Sequence, residues 1–324
     1  MYSSTKTPIS QEIAQQIVHS HFGSGKQILS YNELSEGFYN SAYSIQLQDG
    51  LKCVLKVAPP RQVRVLRYEC NIMRAEVETL RLVKSRTEIP VPDVYYYDAS
   101  GKIIENEFFI MAFIEGVPLH KYRASLSTEE QRAIDLTTGR YLRQMNSIEG
   151  ENFGYFALPE QRCPDWRGAY NHMLVNILDD GRAIPVLFPF NYDDIYEKLQ
   201  IYFPALEEVT SPRLVHWDLW DGNIFIDVET KRINGIIDFE RSLWADPLME
   251  MNFGAFLVNI NFFEGYGRSR EFTGNERIRR SLYNIYLFLI MVIECYYRGY
   301  PNKDQENWAR GMLSQELMNL ESKG

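Results

Sequence analysis

From Leu214 the chain reads LVHWDLWDGNIFIDVETKRINGIIDFE. Two apolar runs, NIFIDV and INGIIDF, flank the polar turn ETKR, the pattern of an antiparallel hairpin. Asn223 stands at the start of the first strand and Asp238 at the end of the second. Antiparallel pairing therefore sets them side by side at the open end. Asp218 lies just upstream, on the loop that leads into the first strand. Three oxygen-bearing side chains, distant in number, are expected at one mouth.

Phosphoryl transfer uses such a set. Mg2+ prefers carboxylate and amide oxygens and keeps several waters, and Asn223 and Asp238 offer such ligands. A metal there would bridge nucleotide phosphates and offset charge developing in the transition state. Asp218, held apart from the metal, would orient an acceptor hydroxyl and take its proton. His216 is read as a brace that hydrogen-bonds backbone near the hairpin. The pattern is H-x-D-x-x-x-x-N followed fifteen residues later by D-F. Each half is weak alone, and the ordered pair with a hairpin between is specific.

Upstream, SAYSIQLQDG and LKCVLKVAP are alternating runs joined by Asp49-Gly50, a hairpin signal. A charged helix is expected from about Val63 to Lys84, with Met73, Val77, Leu80 and the stem of Lys84 at helical spacing. Pro90 and Pro92 break the chain before two strands, VYYYD and EFFIMAFI. The second ends at Glu115-Gly116, which reads as a hinge. Beyond it the pattern is mostly helical. Ser127 with Glu130 makes a capping box for a helix reaching about Ile148. A structured loop follows over residues 152–167, then helices from Trp166 to about Leu178 and from Asp193 to Phe203. Helices occupy most of the chain from Pro247 onward, with a looser stretch at 265–274.

A chain of 324 residues exceeds one ordinary domain, and two lobes are expected, residues 1–113 and 114–324. The net charge of −9 lacks the basic footprint of a nucleic-acid binder. Cys53, Cys70, Cys163 and Cys295 form no CxxC pair and read as reduced, buried thiols of a cytoplasmic protein. MYSSTKTPIS has no apolar signal core. The most apolar run, from Leu282 to Tyr297, falls short of the ~20 residues a membrane span needs, and Asn284 and Glu294 interrupt it. A monomer or homodimer acting on a small molecule, with no nucleic-acid or membrane partner, is the expectation.

HWDLWDGN and IDFE resemble two motifs of the aminoglycoside phosphotransferase family, also called the phosphotransferase enzyme family, of kinase-like fold. There the catalytic loop commonly reads H-G-D-x-x-x-x-N and the metal motif I-D-W or I-D-F. The resemblance implies an α+β two-lobed fold, with a small antiparallel-sheet N-lobe that binds nucleotide and a larger, mostly helical C-lobe that binds the acceptor. It implies Mg2+ and ATP or GTP, with the γ-phosphoryl moving to a hydroxyl. The acceptor would be an aminoglycoside-like antibiotic or a metabolite of the choline, homoserine or sugar kind. Asp218 would be the base, and Asn223 and Asp238 the metal ligands. Trp217 replaces the usual glycine, either narrowing the acceptor side or packing beneath the loop.

The likeness extends over most of the chain. ELSEGFYNSAYSI resembles the nucleotide-covering loop, in which Gly37 would permit the turn and Asn40 and Ser41 would donate to phosphate. Lys56 in CVLKVAP matches the strand lysine that contacts phosphates. Glu76 in MRAEVETL matches its helix partner, with Glu69 and Glu78 as competitors. FFIMAFIEG resembles the hinge, placing base contacts at Phe113 and Ile114 with Met111 lining the pocket. In ADPLMEM, Asp246 would brace the catalytic loop. A protein kinase would need an A-P-E-like segment after Asp238, which is absent. A pseudokinase would need a missing group, yet Lys56, Asp218, Asn223 and Asp238 are all present. For the acceptor, Asp165, Asp179, Asp180, Glu264 and Glu271 would suit a polycation. Trp166, Tyr170, Trp220 and Phe262 would suit an apolar or quaternary-amine ligand.

Overall fold

The computed structural model describes residues 5–35, 37, 39–184, 186–253 and 259–321. It opens with helix α1 (Gln11–Phe22), capped by the Ser10 side chain, and strand β1 (Ile28–Glu33). The hairpin of β2 (Ser41–Leu47) and β3 (Lys52–Val57) turns at Gly50, whose φ of 93° suits glycine. Helix α2 (Ile72–Arg86) and strands β4 (Val94–Asp98) and β5 (Phe108–Ala112) complete an antiparallel sheet of order β1-β2-β3-β5-β4.

Strand alternation gives this sheet two different faces. Cys53, Leu55, Val57, Phe108 and Ile110 join Ala14, Ile17 and Val18 of α1 in one core. Val54, Phe109 and Met111 face the other way and pack with Met73, Val77 and Leu80 of α2. Lys56 shares parity with Val54, so its stem points to the α2 side. On α2, Glu76 falls in the buried stripe of Ile72, Met73, Leu80 and Val83. Sequence period alone therefore aims the lysine and the glutamate at each other.

After β5 the chain crosses at Gly116, whose φ is 120° and where a Cβ would lie 2.3 Å from the Ile226 carbonyl oxygen. No side chain fits there. Strand β6 (Val117–Pro118) then leads into α3 (Leu119–Tyr122) and α4 (Thr128–Met145). Helix α4 starts with both arms of the Ser127–Glu130 capping box. Strand β7 (Gly154–Tyr155), α5 (Trp166–Arg182) and α6 (Tyr192–Gln200) follow. Next come β8 (Arg213–Val215), the hairpin β9 (Ile224–Ile226) and β10 (Ile233–Ile236), and β11 (Leu243–Ala245). Helices α7 (Ile260–Tyr266), α8 (Gly274–Tyr297) and α9 (Asp304–Glu321) end the described chain. Two three-stranded sheets, β10-β9-β6 and β7-β11-β8, carry the segment around Asp218. Among the described residues no helix is long and apolar enough to cross a membrane.

Two expectations need correction. The charged helix begins at Ile72, nine residues later than the pattern suggests, because Asn71 adopts a left-handed φ of 59° that an α-helix cannot pass through. The strand-rich reading of the first segment also omits α1. Ser10 followed by Ile13, Ala14, Ile17 and Val18 at helical spacing carries that signal.

Candidate active site

The β9–β10 hairpin forms as its apolar runs dictate. Ile224 pairs with Ile236, and the Ile237 amide donates to the Asn223 carbonyl at 3.1 Å, so Asn223 stands beside the residue that precedes Asp238. Asp238 leaves the strand in left-handed backbone, φ 70°. That turn directs its carboxylate back toward β3. The Asn223 amide nitrogen donates to the Asp218 carbonyl at 2.8 Å and to Asp218 Oδ2 at 3.3 Å. One end of the asparagine amide thus holds Asp218, and its carbonyl oxygen remains for another partner.

Lys56 Nζ reaches Glu76 Oε2 at 2.6 Å, Asp238 Oδ1 at 2.7 Å and Glu240 Oε2 at 3.2 Å. The competitors for Glu76 lie elsewhere: Glu69 pairs with Arg298, and Glu78 with Arg74 on its own helix. Burial favours the neutral amine of Lys56, but the carboxylates of Asp238, Glu76 and Glu240 together outweigh it and hold the ammonium well above its usual range. Burial pushes Glu76 up to about 8, against the pull of Lys56. Glu240 rises from burial and then from Asp238, while Lys56 holds Asp238 low against its own burial.

The cluster's donor chemistry fits a divalent cation. Three carboxylates offer oxygens within 4.8 Å of one another, with Lys56 Nζ among them. Glu76 Oε1 and Asn40 Oδ1 are buried there without a hydrogen-bond partner. Hard oxygen donors are what Mg2+ prefers. Glu76, Asp238 and Glu240 are the acids that make up this group.

The Asp218 loop is held from beneath. His216 donates from Nε2 to the Ile237 carbonyl at 3.1 Å, and its Nδ1 accepts the Asp218 amide at 3.2 Å. Both contacts need the neutral ring, and burial lowers its pKa to about 4. Glu250 accepts the amides of His216 at 2.8 Å and Trp217 at 3.0 Å, as well as Asn146 Nδ2 at 3.2 Å. From the other side Arg123 forks onto Asp221 and holds Asp135 at 2.9 Å. Burial raises Asp218 to about 7, with Arg241 pulling it down. A carboxylate tuned near neutrality is suited to general-base work.

Trp217 packs beneath the loop. It is 1% exposed and stacks on Tyr286 of α8, with centroids 5.4 Å apart and planes 10° apart. Its φ of 61° is the left-handed region, which explains why glycine suits this position in the motif. The stacked ring offsets the roughly 1 kcal/mol backbone cost. Trp220 instead is 46% exposed, folded over Gly222 and set 5.2 Å from the His120 ring.

Several expected residues do other work. Ser41 is buried on β2, and its Oγ accepts the Thr7 amide at 2.8 Å, so it faces the N-terminal segment and not the cleft. Asn40 spends its amide nitrogen on Glu240 at 2.6 Å. Gly37 has no left-handed φ, and a Cβ there would meet only ordinary contacts at 3.8 Å, so this turn does not demand glycine. Its neighbours 36 and 38 lie outside the described residues. Among the described residues Asp246 makes no hydrogen bond to the Asp218 loop. It caps its own turn at the Leu248 amide and binds Arg279 at 2.9 Å and Tyr283 at 2.8 Å on α8. Glu250, four residues on, holds the loop instead. At the hinge, the Phe113 amide makes a long 3.4 Å bond to the Lys52 carbonyl, Ile114 packs over Gly235, and Met111 is buried in the α2-side core.

The acceptor candidates do not gather into a cluster. Asp165 caps α5, Asp179 and Asp180 bind Arg67, Glu264 binds Arg132, and Glu271 is exposed. Trp166, Tyr170 and Phe262 are core residues. Glu240 and Arg241 carry no expectation from sequence, and Glu250 stands there only as a departure from the family's second acid. Glu240 stands in the IDFE motif itself, and Glu250 is the acid that closes ADPLME.

A family model described as the phosphotransferase enzyme family matches residues 30–279. The chain belongs to the phosphotransferase enzyme family. Among curated proteins, the probable acyl-CoA dehydrogenase IBR3 of Arabidopsis thaliana is 22% identical over 252 residues, covering 74% of this chain and 30% of that protein. A subtelomeric hrmA-associated cluster protein of Aspergillus fumigatus is 21% identical over 136 residues, 42% of this chain and 26% of its own. The chain thus spans under a third of the length of these curated relatives. Solved structures share the fold. A thermostable mutant of aminoglycoside phosphotransferase APH(4)-Ia superposes with TM-score 0.67 at 19% identity, covering 94% of this chain and 98% of that one. A putative fructosamine-3-kinase from Thermobifida fusca gives 0.65 at 18% identity, with coverage of 94% and 98%. Relatives of this fold have been solved with AMP-PNP and hygromycin B, and with GDP and kanamycin. The family's kinase-like α+β architecture is therefore the architecture of this chain.

Proposed function

We propose that this phosphotransferase-family chain moves the γ-phosphoryl of ATP or GTP to a hydroxyl of a small molecule. The observation that carries the reading is the convergence at Lys56. Its ammonium joins Glu76 of α2 and Asp238 of the hairpin within 2.7 Å, while Asn223 of the same hairpin holds Asp218. Nucleotide phosphates would lie against Lys56. Asn223 and Asp238 would hold Mg2+, which supplies neutralisation of the phosphate oxygens. Asp218 takes the acceptor's hydroxyl proton as that oxygen bonds to the γ-phosphorus. The bond from phosphorus to the bridging oxygen breaks, and the nucleoside diphosphate leaves. His216 and Glu250 keep the loop in place while this happens.

One observation favours a metabolite over an aminoglycoside-like acceptor. The acidic candidates for polycation binding are dispersed, and most hold an arginine or cap a helix. The guanidinium of Arg241 is among the charges acting on Asp218. The test is nucleotide consumption with Mg2+ across aminoglycosides, choline, homoserine and sugars, with Asp218→Asn alongside. Acceptor-dependent turnover lost by about 10²-fold or more in Asp218→Asn, with nucleotide binding retained, is expected. Undiminished transfer in that variant would remove Asp218 as the base. Failure to bind either nucleotide would remove the whole reading.

A further inference from the structure

The N-terminal segment ahead of α1 is sewn to the small sheet residue by residue. Thr7 donates its amide to Ser41 Oγ at 2.8 Å and its hydroxyl to the Ala58 carbonyl at 2.8 Å. The Ile9 amide reaches Tyr43 Oη at 3.0 Å, and Tyr31 Oη donates to the Ile9 carbonyl at 2.7 Å. Asn106 clasps Thr7 Oγ1 at 3.3 Å together with the carbonyls of Ala58 and Pro59. This strap carries Lys6 to Gly37 and Asn40.

There Lys6 Nζ donates to the Asn40 carbonyl at 2.5 Å and lies 3.8 Å from where a side chain on Gly37 would begin. The charges that face it are those of Glu33, Lys56, Glu240 and Asp238. It is half-buried, and among the described residues no carboxylate lies within salt-bridge reach of it. A partly desolvated ammonium whose near partner is a neutral carbonyl is an incomplete site. Asn40, whose carbonyl it holds, keeps its own Oδ1 buried without a partner.

We infer that Lys6 is a second phosphate-binding cation, brought by the N-terminal strap to Asn40, to hold the polyphosphate of the nucleotide together with Lys56. The inference rests on the proposed nucleotide-dependent function. Lys56 is locked among three carboxylates. Lys6 has the opposite character: among the described residues no carboxylate pairs with it, and its carrier is fixed. With Ser41 turned to the strap and the Asn40 amide nitrogen committed to Glu240, Lys6 takes the donor role expected of those two residues. It is a binding and positioning residue and takes no part in proton transfer.

The experiment measures dissociation constants of MgATP, MgGTP, adenosine and guanosine for the full chain and for Lys6→Met, Lys6→Arg and Lys26→Met. Lys26 is an exposed lysine paired with Asp49, away from the cleft, and controls for net charge. The preferred triphosphate is expected to bind about tenfold or more weakly to Lys6→Met, the worth of a charge-assisted hydrogen bond. Its bare nucleoside should bind unchanged, Lys6→Arg should recover most of the loss, and Lys26→Met should match the parent. Equal weakening of nucleoside and triphosphate would mean that Lys6 merely pins the strap, and it overturns the inference. So does a Lys6→Met variant that binds triphosphate as the parent does. If the parent binds neither nucleotide, the proposed function falls, and this inference falls with it.

Discussion

The His216 ring is held by two partners of opposite demand, and that fixes its protonation state. Nε2–H points at the Ile237 carbonyl, and the Nδ1 lone pair receives the Asp218 amide. A second proton on Nδ1 would set N–H against N–H at the root of the Asp218 loop. Burial adds to this, and the pKa falls from the ordinary 6.5 to about 4. The unfolded chain then binds the extra proton more readily than the fold does. The ring's contribution is complete above pH 6.5 and is lost as pH falls through 4. Between pH 7 and pH 5 this amounts to about 2 kcal/mol. Urea unfolding at both pH values should show His216→Gln losing that much less than the parent on acidification. Parallel losses would refute the tautomer assignment. The brace itself is legible in HWD, because a histidine that precedes a hairpin has backbone within reach. The identity of its neighbour is not. Trp217 reads as a departure from glycine, and only the packing shows a left-handed backbone stabilised by a ring stacked on Tyr286.

Elements were readable where one period governed them and obscure where tertiary contacts did. The β9–β10 hairpin follows from two apolar runs around ETKR. Helix α4 follows from its capping box. The stretch before α2 has helical-looking apolar spacing, yet residues 63–71 run non-helically along the large lobe apart from one short turn. Their polar side chains find partners far away in sequence. Arg67 binds Asp179 and Asp180, Arg64 donates to the Ala183 carbonyl, and Glu69 meets Arg298 at 2.7 Å. No local pattern encodes partners over a hundred residues distant. Arg298 also holds Glu294 at 3.1 Å, which in turn binds Arg241. Removing one partner of such a buried set leaves carboxylates uncompensated, at a cost of about 3–5 kcal/mol. Arg298→Met should therefore lower stability by that order in denaturant. Amide exchange should quicken in residues 63–71 more than in α1. A uniform change across the chain would mean that Arg298 does not anchor this connection.

At the scale of the molecule, the small sheet serves two cores of unequal standing. The α1 face closes a core of its own, whereas the α2 face is continuous with the interior of the large lobe. Lys56 projects from the second face into the seam where sheet, α2 and hairpin meet. A nucleotide bound at that seam touches both lobes, so it stabilises the folded chain by mass action, by about 2.7 kcal/mol at a hundredfold excess over its dissociation constant. For a chain of this size that corresponds to a rise of several degrees in the melting temperature. Ile17 belongs wholly to the α1 core. Ile17→Ala should cost about 2–5 kcal/mol and lower the melting temperature, yet keep the full increment from MgATP or MgGTP. Lys56→Met should abolish the increment, because it removes the proposed phosphate partner from the seam. Thermal melts of the three proteins, with and without Mg-nucleotide, separate the two outcomes. An increment lost in Ile17→Ala would show that the α1 core and the cleft are one cooperative unit, against the division of the sheet into two faces.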